Sequence, residues 1–172
     1  MKNEQPKVLI VMGSDSDYPV LKDCMQTLRD FSVDFEARVC SAHRTPDEAM
    51  ALARGAESEG YDLIIAGAGM AAHLPGVLAA LTTLPVIGIP IKSSFDGLDA
   101  LLSIVQMPPG IPVGTMAVNG ATNAGVYAVQ ILSLKYDHLK MSLKEYKVGL
   151  AKKVKSRNEN LQKKINEEIQ EK

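Results

Sequence analysis

Five short apolar runs, each followed by a stretch with helical spacing, constrain this chain more than any other feature. The run Lys7-Val-Leu-Ile-Val-Met12, ended by Gly13, has the pattern of a strand buried on both faces of a parallel sheet. Similar runs recur at Val33 to Val39, Leu63 to Ala66, Val86 to Ile89 and Val113 to Val118. The helical candidates between them are Pro19 to Phe31, Pro46 to Glu59, Leu74 to Leu81, Leu98 to Val105 and Ala121 to Leu134. Proline stands at or near the start of the first three, as helix entry favours. This alternation predicts a three-layer α/β fold with right-handed crossovers and a five-stranded parallel sheet. At ~150 residues per domain, 172 residues make one domain. We place it at 1–137, with a charged amphipathic helix at 138–172.

In such folds the ligand crevice lies outside the carboxyl ends of the strands, where strand order reverses. With the order 2-1-3-4-5, the loops after the first three strands meet there. They are Gly13 to Asp17, Ser41 to Pro46 and Gly67 to Pro75.

Charge and composition remove several other classes. Nineteen basic and twenty acidic residues give a net charge of −1, so no global field steers the chain toward nucleic acid or an anionic membrane. Residues 1–137 hold 9 Lys/Arg and 15 Asp/Glu, whereas 138–172 hold 10 and 5. A basic tail therefore follows an acidic body. Residues 63–91 carry no Asp, Glu, Lys or Arg, yet Gly67, Gly69, Pro75, Pro85 and Pro90 break them into pieces that no bilayer would tolerate. Cys24 and Cys40 are too far apart for a metal or redox pair, and the first residues lack a signal peptide's apolar stretch. A reducing cytoplasm is the expected setting.

From Ala100 to Leu134 no charged residue occurs. A helix without a charged face is usually buried all round, which predicts a subunit interface in a symmetric homo-oligomer. Burial under the tail helix alone is the other reading. In the tail, Leu139, Leu143, Tyr146, Leu150, Val154, Leu161, Ile165 and Ile169 form a helical stripe among lysines and glutamates, expected to pack on the body or on a neighbour.

The three crevice loops carry the chemistry. Gly13-Ser14-Asp15-Ser16-Asp17 leads into a helix whose free N–H groups suit an anion, with the serines and backbone taking a phosphate and an aspartate accepting from ribose hydroxyls. Asp17 is equally placed to cap the helix. Ser41-Ala42-His43-Arg44-Thr45-Pro46-Asp47 joins a group that titrates near neutrality to a cation with a bidentate fork. The alternatives are an exposed loop histidine and a surface ion pair of Arg44 with Asp47; the place after a strand favours catalysis. In Ala66-Gly67-Ala68-Gly69-Met70-Ala71-Ala72-His73-Leu74-Pro75-Gly76 small residues admit a flat ligand close to the backbone. His73, among alanines and leucine, reads as a hydrogen-bonded structural histidine, and Cys40 as a small buried residue rather than a nucleophile.

Gly13 to Asp17, Ser41 to Asp47, Ala66 to Gly76 and Leu102-Ser-Ile-Val-Gln-Met-Pro108 with Gly114-Thr115 together closely resemble the N5-carboxyaminoimidazole ribonucleotide mutase family of purine biosynthesis. The resemblance covers residues 7–134. It implies a flavodoxin-like sheet, a homo-octamer, and transfer of a carboxylate from the exocyclic nitrogen to C4 of the imidazole. Carried over by motif, Ser14, Asp17 and Arg44 bind the ribonucleotide and His43 is the acid/base. No metal, ATP or redox cofactor is implied. A related branch carboxylates aminoimidazole ribonucleotide directly and typically has lysine after the histidine; Arg44 and Ala71-Ala-His-Leu-Pro75 look like the mutase branch. Met70 stands where the family commonly has glycine, Pro109 where arginine or glycine is common, and the Ser93-Ser-Phe-Asp-Gly97 loop is one residue short.

Overall fold

In the computed structural model the chain is described over residues 5–170. Met1–Glu4 of the expected domain and Glu171–Lys172 of the expected tail lie outside the described residues. Five parallel strands, β1 (Lys7–Met12), β2 (Asp34–Val39), β3 (Leu63–Gly69), β4 (Val86–Ile91) and β5 (Gly114–Thr115), form one sheet in the order β2-β1-β3-β4-β5. Among the described residues six α-helices connect and follow them: α1 (Tyr18–Asp30), α2 (Pro46–Gly55), α3 (Leu74–Ala79), α4 (Leu98–Val105), α5 (Ala121–Leu132) and α6 (Asp137–Gln170). The first three open with proline in their first turn.

The period-2 alternation of side chains sends the two halves of each strand's apolar set to opposite faces. Val8, Ile10 and Met12 of β1 join α1, α5 and the start of α6 in one core, while Leu9 and Val11 join α2, α3 and α4 in the other. This is the expected three-layer α/β fold. The uncharged segment 63–91 is β3, α3 and β4, and among the described residues no helix is long and apolar enough to cross a membrane.

Several expectations need correction. Strand β2 is an edge, and most of its side chains are exposed rather than buried on both faces. Strand β5 is two residues long instead of six. Gly88 and Pro90 accept bonds from Met116 and Asn119 on that edge, but Pro90 has no N–H to return, so the ladder stops. Helix α2 ends at Gly55, four residues early, and its chain continues as turns to Gly60. Helix α5 is not covered all round within one chain: Thr122, Asn123, Tyr127 and Gln130 face outward, which removes the reading of burial under the tail helix alone. The tail forms one helix of 34 residues. Leu139 is buried and Leu143 and Tyr146 lean on the core, yet beyond them the stripe leaves the body.

Candidate active site

The sheet order brings the loops after β1, β2 and β3 together, and they enclose an open cleft of about 680 Å3 whose far rim is Lys92 and Ser93 after β4. Backbone bonds lock the three strand ends. The Gly13 N–H donates to Gly67 O at 3.1 Å and the Cys40 N–H to Met12 O at 2.8 Å.

In the first loop, Asp15–Asp17 make a single 3-10 turn before α1. The Asp17 carboxylate turns back and accepts the Ser14 N–H at 3.1 Å, while the Ser14 hydroxyl accepts the Ser16 N–H at 3.3 Å. Asp17 therefore closes the turn and does not cap α1, where it makes no side-chain bond. It is only 8% exposed. Burial pushes its carboxyl above the usual carboxylate range, against the N–H bonds of Ser14 and Gly13, which pull it down. A desolvated acceptor held this way gains by taking hydroxyl donors from a ligand.

In the second loop the Thr45 hydroxyl binds Ser41 twice, accepting its N–H at 3.0 Å and donating to its carbonyl at 3.1 Å. This tight closure swings Arg44 across the cleft floor. Its Nη2 donates to Gly13 O at 3.3 Å and its Nε to the Ser41 hydroxyl at 3.4 Å. Among the described residues no ion pair joins Arg44 to Asp47, so the surface-pair alternative fails. The guanidinium reaches the loop that offers Ser14 and Ser16 instead. Cys40 is buried with its Sγ 3.6 Å from the Thr45 hydroxyl, in keeping with a structural part.

The third loop changes the reading of one residue. His73 is exposed on the cleft wall, and its Nδ1 lies 2.8 Å from His43 Nε2, with the rings edge to face. It is hydrogen-bonded as expected, but to the candidate acid/base and not into the core. One of those two nitrogens carries the shared proton and the other accepts it, so the tautomer of His43 is tied to that of His73. Met70 lines the same wall with φ of +55°, a left-handed conformation that favours glycine. Of these cleft residues, Lys92 had no place in the expectation, Ser93 entered only through the Ser93–Gly97 loop, and His73 as a structural histidine. For the first two the available signal was their position directly after β4.

The profile of the AIR carboxylase family matches residues 7–153. The chain belongs to this family. It is 60% identical to an N5-carboxyaminoimidazole ribonucleotide mutase of Pyrococcus abyssi over 148 residues, covering 86% of this chain and 85% of that one. It is 53% identical to the enzyme of the same name from Thermotoga maritima over 150 residues, 87% of this chain and 88% of that one. The crystal structure of Treponema denticola PurE superposes with a TM-score of 0.79 at 30% identity, covering 87% of this chain and 94% of that one. Within the AIR carboxylase family frame, all four residues assigned from sequence, Ser14, Asp17, His43 and Arg44, line one cleft.

Proposed function

We infer that this chain is an N5-carboxyaminoimidazole ribonucleotide mutase, an isomerase of purine biosynthesis. The observation that carries the reading is the junction of an anion-binding corner and a proton-carrying pair within one cleft: Arg44 bridging to the Ser14 loop, and His43 on His73 at 2.8 Å. Mutases at 60% and 53% identity over most of both chains support the same reaction.

The substrate phosphate sits against Ser14, Ser16 and the Arg44 guanidinium, which offers a charge-assisted fork. The ribose hydroxyls donate to Asp17. The imidazole then faces His43 and the Gly69–His73 wall. The bond from the exocyclic nitrogen to the carboxylate breaks, carbon dioxide is released, and the nitrogen takes a proton. C4 attacks the trapped carbon dioxide and gives up its own proton. The sum is neutral in protons, so one residue that gives and takes a single proton suffices, and that residue is His43. His73 orients its ring. Apolar Ala68, Ala71 and Leu74 along the cleft favour retention of carbon dioxide over its loss to water.

Exposed Leu98, Leu102 and Val105 stand at i, i+4 and i+7 on one face of α4. This uncovered apolar stripe supports assembly as a homo-oligomer, read as an octamer, and a biosynthetic enzyme of this kind belongs in the cytoplasm. Light scattering that gave a monomer at micromolar concentration would overturn the assembly.

The decisive experiment is conversion of N5-carboxyaminoimidazole ribonucleotide without added bicarbonate, set beside aminoimidazole ribonucleotide with bicarbonate. Turnover of the first alone supports the mutase; turnover of the second alone makes the chain a direct carboxylase. His43→Asn should still bind nucleotide while turnover falls at least ~10²-fold, the low end for lost acid/base catalysis. Near-parental turnover would remove His43 from the mechanism.

A further inference from the structure

Among the described residues that line the cleft, Arg44 and Lys92 carry the permanent positive charges. They stand on opposite sides of it. Arg44 follows β2 and reaches the first loop at Gly13 O, where the phosphate sits in the proposed reaction. Lys92 follows β4, which lies two strands beyond β1 in the sheet, a separation of about 10 Å at the usual spacing of strands.

The backbone at Lys92 is fixed, and its head is not. In the β3–β4 register Gly69 is level with Ile91, and a Cβ on Gly69 would lie 3.5 Å from Ser93 Cβ. The residues after β4 therefore abut the Gly69–His73 wall, which faces the imidazole. The Lys92 N–H donates to Asn119 Oδ1 at 2.8 Å, and the Asn119 N–H donates to Pro90 O at 2.8 Å. The Lys92 ammonium rests instead on the Asp96 carboxylate at 2.8 Å, with the two side chains 56% and 88% exposed. An ion pair this open to water is held weakly, so one carboxylate can replace another on Lys92 at little cost.

Charge then names the ligand group. A substrate of the proposed reaction has two anionic ends, a phosphate and a carboxylate, with a ribose and an imidazole between them. With the phosphate on Arg44 and the imidazole against the Gly69–His73 wall, the carboxylate end falls toward β4. There Asp96 already occupies Lys92 with the same chemical group.

We propose that Lys92 recognises the carboxylate of the ribonucleotide by exchanging Asp96 for it, an inference that rests on the mutase reading. The test is calorimetry on the full chain with two nucleotides of nearly one shape, 4-carboxy-5-aminoimidazole ribonucleotide and its neutral 4-carboxamide counterpart. The parent should prefer the carboxylate. Lys92→Met should weaken the carboxylate about 10-fold or more, as loss of a charge-assisted hydrogen bond does, and leave the carboxamide unchanged. Asp96→Asn keeps a residue that tolerates the left-handed φ of +55°; it frees Lys92 and should tighten the carboxylate alone. Equal weakening of both nucleotides by Lys92→Met would put the ammonium on the phosphate and overturn the proposal. So would a parent without preference, a preference that survives Lys92→Met, or a carboxylate affinity unmoved by Asp96→Asn. A parent that binds neither nucleotide would overturn the mutase reading and this proposal together, whereas each of the other failures leaves that reading standing.

Discussion

Gly67→Ala tests how the packing under the cleft supports it. A Cβ at Gly67 would lie 2.7 Å from Leu21 Cδ2 and 3.3 Å from its Cγ, well inside the 3.5–4.0 Å at which carbon atoms rest. Leu21 is fully buried in α1, so its side chain cannot swing into solvent, and the added methyl presses on the packing of α1 against β3. Overpacking of this kind costs about 1–3 kcal/mol, offset by about 0.4–1 kcal/mol from the stiffer unfolded chain. The net loss should be about 1–2 kcal/mol. Leu21→Ala alone should cost about 2–5 kcal/mol through its cavity. In the double variant the new methyl fills part of that cavity, so the combined loss should fall short of the sum by at least ~1 kcal/mol. Urea unfolding followed by circular dichroism, at one protein concentration because association shifts apparent stability, measures all three. Because Gly67 O also anchors Gly13, nucleotide binding should weaken in Gly67→Ala. Additive losses, or a Gly67→Ala variant as stable as the parent, would refute the contact as the cause.

Arg44→Ala should weaken nucleotide binding by about 2–5 kcal/mol if the guanidinium forms a desolvated pair with the phosphate; a calorimetric affinity within a factor of about two of the parent would reject that role. His73→Phe keeps a ring on the cleft wall but removes the partner of His43 Nε2, and should lower kcat, by less than His43→Asn does, with KM unchanged; an equal rise in KM would mean that His73 only binds. Tyr61 is pushed up to about 12, first by burial and then by donating to the Glu36 carboxylate. A raised phenol contributes stability that is complete below its unfolded value of about 10 and is lost as the pH rises through about 12. Tyr61→Phe should flatten the alkaline limb of the stability curve between those values, and an unchanged limb would disprove the assignment.

The strand positions and the three cleft loops were legible because buried parallel strands write continuous apolar runs and because glycine and proline punctuate them. The side chains that face one another across loops were not. His43 and His73 are thirty residues apart, and nothing local to Ala71-Ala72-His73-Leu74 distinguishes a histidine turned to the cleft from one turned to the core. Arg44 was legible as a cation in a cleft loop, but its bond to Gly13 O depends on the Thr45–Ser41 closure, a tertiary fact of one loop. The short β5 was legible in hindsight from Pro90. Its effect falls on a neighbouring strand rather than its own, which is where pattern reading loses sight of a proline.

Met70 joins these levels. The family resemblance puts glycine at this position, and the chain here has φ of +55°, where a residue with a Cβ bears about 1–2 kcal/mol. A methionine survives there because the flanking turn is fixed on both sides, by β3 before it and by the Ala72 and His73 N–H groups donating to Met70 O and Ala71 O after it. Its side chain, 57% exposed, then stands on the wall beside His43 and His73. Strain held by rigid neighbours at a cleft wall is common where a site must keep one geometry. Here the same turn that strains Met70 carries His73 to within 2.8 Å of His43. A relaxed, extended residue at 70 would take the chain out of that turn and part the two rings, so the backbone cost at Met70 and the histidine pair are two consequences of one bend.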